Sequence, residues 1–312
     1  MKSTRLKVFL TIALVTAIPV LGPAPQMQQA VPAAVKKALG VDDVTAWKNI
    51  ATTALSKNGE WFAYRVAPQE GDAELVVRNV VSGKETKFPL GEVGAPAGGG
   101  GGAAVFAGGA SLQFSDDSKW IAFTTSPARA EAQRLRRQRR PVQSGVTVVN
   151  LASGDKKEYP NIRRFSFNGD SATHIALHRA PAQPSGGGAG AAAPAPGGGR
   201  GAAPGGAAGG ANDNRPRGTD LILRELAAGA ELNMGNVSEF AFTRDGKLLA
   251  TVIDATDKIG NGVQLRNMLT GTVASLDTDA ANYERLSWTE KGNGLTGLKG
   301  NEDKAYTDKL YS

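Results

Sequence analysis

Apolar and polar positions along this chain fall into one short phrase that returns five times. The copies are LSKNGEWFAY from Leu55, FSDDSKWIAF from Phe114, FSFNGDSATHIAL from Phe165, FTRDGKLLAT from Phe242 and WTEKGNGLTG from Trp288. Each runs from an apolar residue through a small hydroxyl residue, or a close equivalent, into a turn of Asn, Asp, Lys, Ser and Gly. A short apolar run follows. Recurrence at this scale denotes an array of similar supersecondary units.

The turn residues carry the local information. Asn58-Gly59, Asn168-Gly169, Asp245-Gly246 and Lys291-Gly292 stand where a tight hairpin needs positive φ, which Gly adopts without a Cβ clash. Asp117-Ser118 is a weaker version of the same turn. The runs after the turns, Trp61–Tyr64, Trp120–Phe123 and Leu248–Thr251, have strand length and β-branched or aromatic members.

A fainter punctuation follows each first turn. It is Ser82-Gly83 after Leu75–Val81, Ser153-Gly154 after Val146–Leu151, Ala228-Gly229 after Leu221–Leu226, and Thr270-Gly271 after Val263–Leu269. A complete unit therefore reads as four antiparallel strands in a meander, the blade of a β-propeller. The expected fold is all-β: a partial propeller of four complete four-stranded blades plus an incomplete fifth, stopping in what should be a third strand at Lys304–Tyr311. Propellers close with whole blades, so the chain is expected to be a fragment.

The spacing locates insertions. First-to-second turn intervals are 24, 36, 60 and 25 residues, and second-to-next intervals are 35, 15, 17 and 21. The excess lies in the glycine-rich 94–109, the basic 128–141 and the Pro/Gly/Ala tract 181–218. All three are predicted to be disordered, because such compositions bury too little apolar surface to offset chain entropy. In an antiparallel meander, second-to-third and fourth-to-next connections emerge on one side, so the three insertions should share a face.

Residues 1–24 read as a signal peptide: Lys2, Arg5 and Lys7, the apolar run Val8–Leu21, then small residues and Pro. The apolar run falls short of the ~20 residues a membrane anchor needs. A lead-in, 25–50, precedes the repeats assigned to 51–312. Export to a periplasmic or extracellular location is expected, with no stable membrane span after the signal is removed. The absence of cysteine excludes disulfides and thiolate metal sites.

The net charge of +7 comes almost wholly from the signal and from 128–141, which holds Arg129, Arg134, Arg136, Arg137, Arg139 and Arg140 against Glu131. No broad basic surface runs through the repeats, so nucleic acid is not expected as a partner. The arginine run reads as a solvated excursion, with phosphate or an acidic partner as the functional alternative.

No catalytic, cofactor-binding or metal site is expected. The two histidines, His174 and His178, sit four residues apart on one strand, roughly 13 Å, too far to share a metal ion. Structural or surface roles are expected for both. No G-x-S-x-G nucleophile elbow occurs. Gly98–Gly102 and Gly197–Gly199 lack the Lys-Ser/Thr of a phosphate loop, and the Asp/Asn turns lack calcium-loop spacing. The aromatics Trp61, Trp120, Phe123, Phe167, Phe242 and Trp288 recur in register and read as core.

The phrases SKNGEWFAY, FSDDSKWIAF and FTRDGKLLAT resemble the WD40-like (TolB-type, PD40) propeller repeat. A signal peptide, then VDDVTAWKNI at Val41–Ile50, then such blades resembles the N-terminal part of a secreted bacterial S9 (prolyl oligopeptidase) family peptidase. The resemblance spans Val41 to Ser312. It implies a propeller that gates peptide access and docks an α/β-hydrolase domain absent from this chain, with no catalytic residue carried over. The partner is then a peptide substrate reached through that missing domain. The alternative is a TolB-like periplasmic propeller that binds a protein partner and has no catalytic role. A lyase-type propeller enzyme fits less well, because His, Glu and Asp are not clustered at metal or acid/base spacing.

Overall fold

Every turn marked by the repeated phrase bends the chain at positive φ. Gly59, Ser118, Gly169, Gly246 and Gly292 lie between 59° and 74°, and the second-turn glycines Gly83, Gly154, Gly229 and Gly271 between 70° and 79°. The computed structural model describes residues 40–45, 47–68, 71–92, 111–181, 218–256 and 258–300. The signal peptide expected at 1–24, the insertion 94–109, nearly all of 181–218 and the strand expected at Lys304–Tyr311 lie outside them.

After a short helix α1 (Val41–Thr45), the first quartet is β1 (Lys48–Leu55), β2 (Trp61–Pro68), β3 (Asp72–Asn79) and β4 (Glu85–Glu92). The second is β5 (Leu112–Phe114), β6 (Trp120–Thr125), β7 (Gly145–Asn150) and β8 (Lys156–Tyr159). Both are antiparallel meanders in sequence order. A helix not expected from the sequence, α2 (Arg129–Arg137), lies between β6 and β7.

The third and fourth units depart from the expectation of separate quartets. β9 (Ile162–Phe167), β10 (His174–Arg179), β11 (Thr219–Glu225), β12 (Glu231–Phe242), β13 (Leu248–Ile253), β14 (Gly262–Asn267) and β15 (Val273–Thr278) form one seven-stranded sheet. β12 is shared: its first half pairs with β11 and its second with β13. The chain bends at Asn236, φ 57°, without leaving the strand, so one segment closes one unit and opens the next. A two-stranded sheet, β16 (Asn282–Trp288) and β17 (Leu295–Gly300), follows.

The small hydroxyl in each phrase now has a role. Ser56, Ser115, Thr243 and Thr289 accept the backbone N–H five residues on, while donating to Asn58, Asp117, Asp245 and Asn293. Each turn is thereby closed from inside. In the third copy the buried Asn168 takes over, accepting from the N–H of Thr173 and His174. The hairpin expected at Asn168-Gly169 is accordingly a 3₁₀ turn over Gly169–Ser171.

Successive units stack face to face, and one apolar cluster fills each junction. Ala63, Leu75 and Val77 meet Ile121 and Phe123. Ala122, Val146 and Val148 meet Phe165, Ile175 and Leu177. Ala176, Leu221 and Leu223 meet Phe240 and Leu249, and Val252 and Val263 meet Ala281 and Tyr283. The alternation within the phrase explains this. Its central Ala faces the following unit, and the large residues on either side face the preceding one. Large side chains thus enter the space that small ones leave. Of the recurring aromatics, Phe123 and Phe167 are buried, Trp61, Trp120 and Phe242 pack half-buried on the clusters, and Trp288 Nε1 donates to Ala241 O.

Candidate functional site

Each meander has two edges. One carries the repeated turns; the other carries the roots of the insertions. On the insertion edge, Ser126 N–H donates to Leu90 O and Glu92 N–H to Pro127 O, so the end of β4 pairs with the segment leaving β6. This brings the roots of 94–109 and 128–141 together, as antiparallel connectivity requires. The backbones lie so close that a Cβ on Gly91, φ 77°, would sit 1.9 Å from Ser126 O.

The basic insertion is ordered where disorder was expected. RAEAQRLRR contains strong helix formers and no β-branched residue, Gly or Pro; Glu131 lies in the first turn and Arg134, Arg136 and Arg137 in the last, matching the helix dipole. No side chain of its own caps the start. Asp72, at the head of β3, accepts the Arg129 N–H at 2.7 Å instead. Arg136 forks onto Glu92 at 3.1 and 2.6 Å, and Ala132 is fully buried. The hydrogen bond from Arg136 outweighs burial and holds the Glu92 carboxyl below the ordinary carboxylate range.

A cleft of about 330 Å³ opens beneath the helix start, lined by Asp72, Phe88, Gly91, Phe123, Ser126 and Thr147 among others. At the opposite end of the helix, Arg137, Arg139 and Arg140 are exposed and make no ion pair among the described residues. Arg134 is tied to Glu131. The insertion edge therefore combines a preformed concavity with an anchored, basic helix end.

On the opposite edge most of the turn charges are paired, Glu60 and Lys291 excepted among the described residues. Lys57 reaches Asp116 at 3.1 Å and Asp170 at 3.2 Å, joining the first turns of three units, and Arg244 lies 3.6 Å from Glu290. The turns of the third and fourth units also interlock: Asp170 N–H donates to Arg244 O, Asn168 Nδ2 to Gly246 O and Ser171 Oγ to Asp245 O.

The structure separates the two histidines in role. His174 is half-buried beside Thr173 Oγ1, at 2.9 Å. His178 is buried, with Nε2 2.7 Å from Val237 O and the Arg163 guanidinium beside its ring. Burial, then the Arg163 charge, push His178 down to about 4, so it is neutral. Among the described residues no group of three His, Asp or Glu side chains is arranged to hold a metal ion. At the outer rim of the second and third units, Glu231 Oε1 gathers Lys157 Nζ at 2.6 Å, Tyr159 Oη at 2.5 Å and Arg224 Nη1 at 3.0 Å. Burial works against the charge, but these three donors prevail and hold the carboxyl down to about 2.

No protein-family model matches the chain, and no curated protein matches it. Among solved structures, it is similar to acylaminoacyl peptidase from Pyrococcus horikoshii: 11% identity, 76% of this chain and 34% of that one, TM-score 0.38. TolB from Acinetobacter baumannii gives 12% identity over 80% of this chain and 48% of that one, TM-score 0.34. A eukaryotic initiation factor gives 15% identity over 81% and 50%, TM-score 0.43. The chain spans about a third of the peptidase and about half of the other two.

Proposed function

We propose that this chain is the propeller part of an exported S9-type serine peptidase, gating peptide access to, and docking, an α/β-hydrolase domain carried elsewhere in the protein. The observation that carries the reading is the serial stacking of antiparallel meanders, each junction filled by one cluster shared between consecutive units. That is how blades pack in a propeller, and the shared strand β12 is the step from one blade to the next. In this reading the chain contains four four-stranded blades and the start of a fifth. The repeated phrase and the apolar run at Val8–Leu21 support the family and the export.

The insertion edge is the docking and gating face, because it holds the cleft under α2 and the uncompensated arginines. Determining the coding sequence beyond Ser312 tests the proposal. A G-x-S-x-G motif followed by Asp and His is expected; a stop codon without that motif refutes it. The ordered basic helix end favours a second reading, a TolB-like propeller that binds an acidic protein partner and has no catalytic role. That reading predicts the stop codon, together with a partner released by salt.

A further inference from the structure

Arg163 and Arg164 lie side by side on β9, the first strand of the third meander, and both are half-buried. Neither makes an ion pair with a carboxylate among the described residues. Arg163 Nη2 donates to Ser238 O at 3.0 Å and otherwise faces the ring of the neutral His178. Arg164 has its guanidinium carbon 4.7 Å from the centre of the Phe240 ring, and its Nε is enclosed without a hydrogen-bond partner. Ser238 Oγ, on the facing strand β12, is likewise enclosed and unpartnered. Glu239, the carboxylate whose charge acts on Arg164, has an oxygen engaged by Leu286 N–H at 3.1 Å.

Two adjacent guanidiniums partly withdrawn from water have one carboxylate, Glu239, acting on Arg164, so one positive charge of the pair is unmatched, and a desolvated charge without a partner is destabilising. Burial, and for Arg163 the neighbouring Arg164 charge, push both below the ordinary guanidinium range, the direction expected of cations short of an anion. The arrangement is thus held by the contacts of Arg163 with Ser238 O and of Arg164 with Phe240, while one of its two positive charges is left unmatched. The Phe240 ring closes one side of Arg164, and the N–H donors of a guanidinium lie in its plane, so a hydrogen-bonding ligand meets it edge-on. Edge-on approach to a planar fork suits a planar carboxylate, which takes two parallel hydrogen bonds.

We infer that Arg163 and Arg164, with Ser238 beside them, form a carboxylate-binding site, and that its ligand is the free C-terminal carboxylate of a short peptide. The second half of that statement rests on the peptide-gating reading above; the first half does not. Together they make the site a selector for peptide ends over internal segments, placed on a first strand.

Arginine Nε–H resonances of the intact chain, titrated at constant ionic strength, test both halves. Acetate should shift the Arg163 and Arg164 signals saturably in the millimolar range. Tri-alanine should do the same, and its C-terminal amide should not. Arg164→Gln should abolish the response, and Arg164→Lys, which keeps the charge but loses the fork, should weaken it about tenfold or more. Arg163 and Arg164 signals unmoved by acetate in the wild-type chain overturn the carboxylate site, whatever the variants do. Signals that respond to acetate but not to tri-alanine, or equally to tri-alanine and its amide, overturn the peptide-end assignment and leave the site standing.

Discussion

Two glycines with the same backbone conformation and opposite surroundings give a quantitative test of how the units lock together. Gly59 has φ +74° with nothing within 4 Å of a prospective Cβ; Gly246 has φ +71°, and its Cβ would lie 1.7 Å from Asn168 O. Ala at either site must enter the left-handed region, at about 1–2 kcal/mol. Gly59→Ala stops there. Gly246→Ala must also push back the backbone of Asn168, whose side chain closes the third turn through Thr173 and His174. Overpacking of that kind adds about 1–3 kcal/mol, bringing Gly246→Ala to about 2–5 kcal/mol. For a domain of this size each kcal/mol lowers Tm by about 2–4 °C, so the two variants should separate by several degrees, with Gly246→Ala lower. Urea unfolding at fixed pH gives the same comparison as a shift in midpoint with unchanged slope. Equal destabilisation of the two variants would refute the interlock between the third and fourth turns.

Three further outcomes are expected. His178 titrates at about 4 in the fold against an ordinary 6.5, so as pH falls the unfolded chain takes up the proton first. Stability from this residue is therefore complete above 6.5 and lost between 6.5 and about 4, by about 3 kcal/mol. Urea midpoints across that window should fall less for His178→Gln than for the wild type; parallel curves would remove His178 from the account. Glu231→Gln takes the charge from a carboxylate oxygen that receives Lys157, Tyr159 and Arg224, and should destabilise by about 1–3 kcal/mol, discounted for its partial exposure. A neutral result in urea melts would make that cluster a surface ornament. Glu92→Gln removes the charged partner of Arg136, so trypsin should cut after Arg134 and Arg136 several-fold faster than in the wild type, with cleavage after Arg139 little changed. Unaltered digestion would show that α2 is not held by that pair.

The repeated turns were legible in the sequence because their chemistry is local. A Gly, or a Ser at position 118, at positive φ, and a hydroxyl or Asn two residues from its partner, need no knowledge of the rest of the chain. The alternation in IAF, IAL and LAT likewise announces two differently filled faces before any neighbour is known. α2 was missed for a different reason: its six nearby arginines suggested solvation, while its helix propensity and its Glu-first, Arg-last order pointed to a helix. Its anchors, Asp72 and Glu92, come from 57 and 44 residues away and are invisible locally. The continuity of β12 was not legible, because the turns at Ala228-Gly229 and Asp245-Gly246 mark its two ends and nothing between them announces that one strand, bent at Asn236, serves both units. The Arg163–Arg164 pair was the least legible part, since Arg163 meets His178 across 15 residues and Ser238 across 75.

The distribution of paired and unpaired charge differs between the two edges of the array, and the proposed docking face rests on that difference. On the turn edge, Lys57 is shared by Asp116 and Asp170 and Arg244 answers Glu290, so those charges are spent within the chain. Exposed pairs of this kind add little stability, but they leave little field for a ligand to answer. On the insertion edge the acids near α2 are already committed: Asp72 to the helix start, Glu92 to Arg136, Glu131 to Arg134. Arg137, Arg139 and Arg140 are left over on a helix end that its anchors hold in place. A fixed cation group loses less side-chain and backbone freedom on binding than one on a mobile loop, so the same charges bind more tightly there. In the reading proposed above, an anionic surface, whether of a companion domain or of a separate protein, would be drawn to the edge that also carries the cleft. Because that attraction acts between exposed charges, raising the salt concentration should weaken it steeply while the apolar junctions between sheets stay intact.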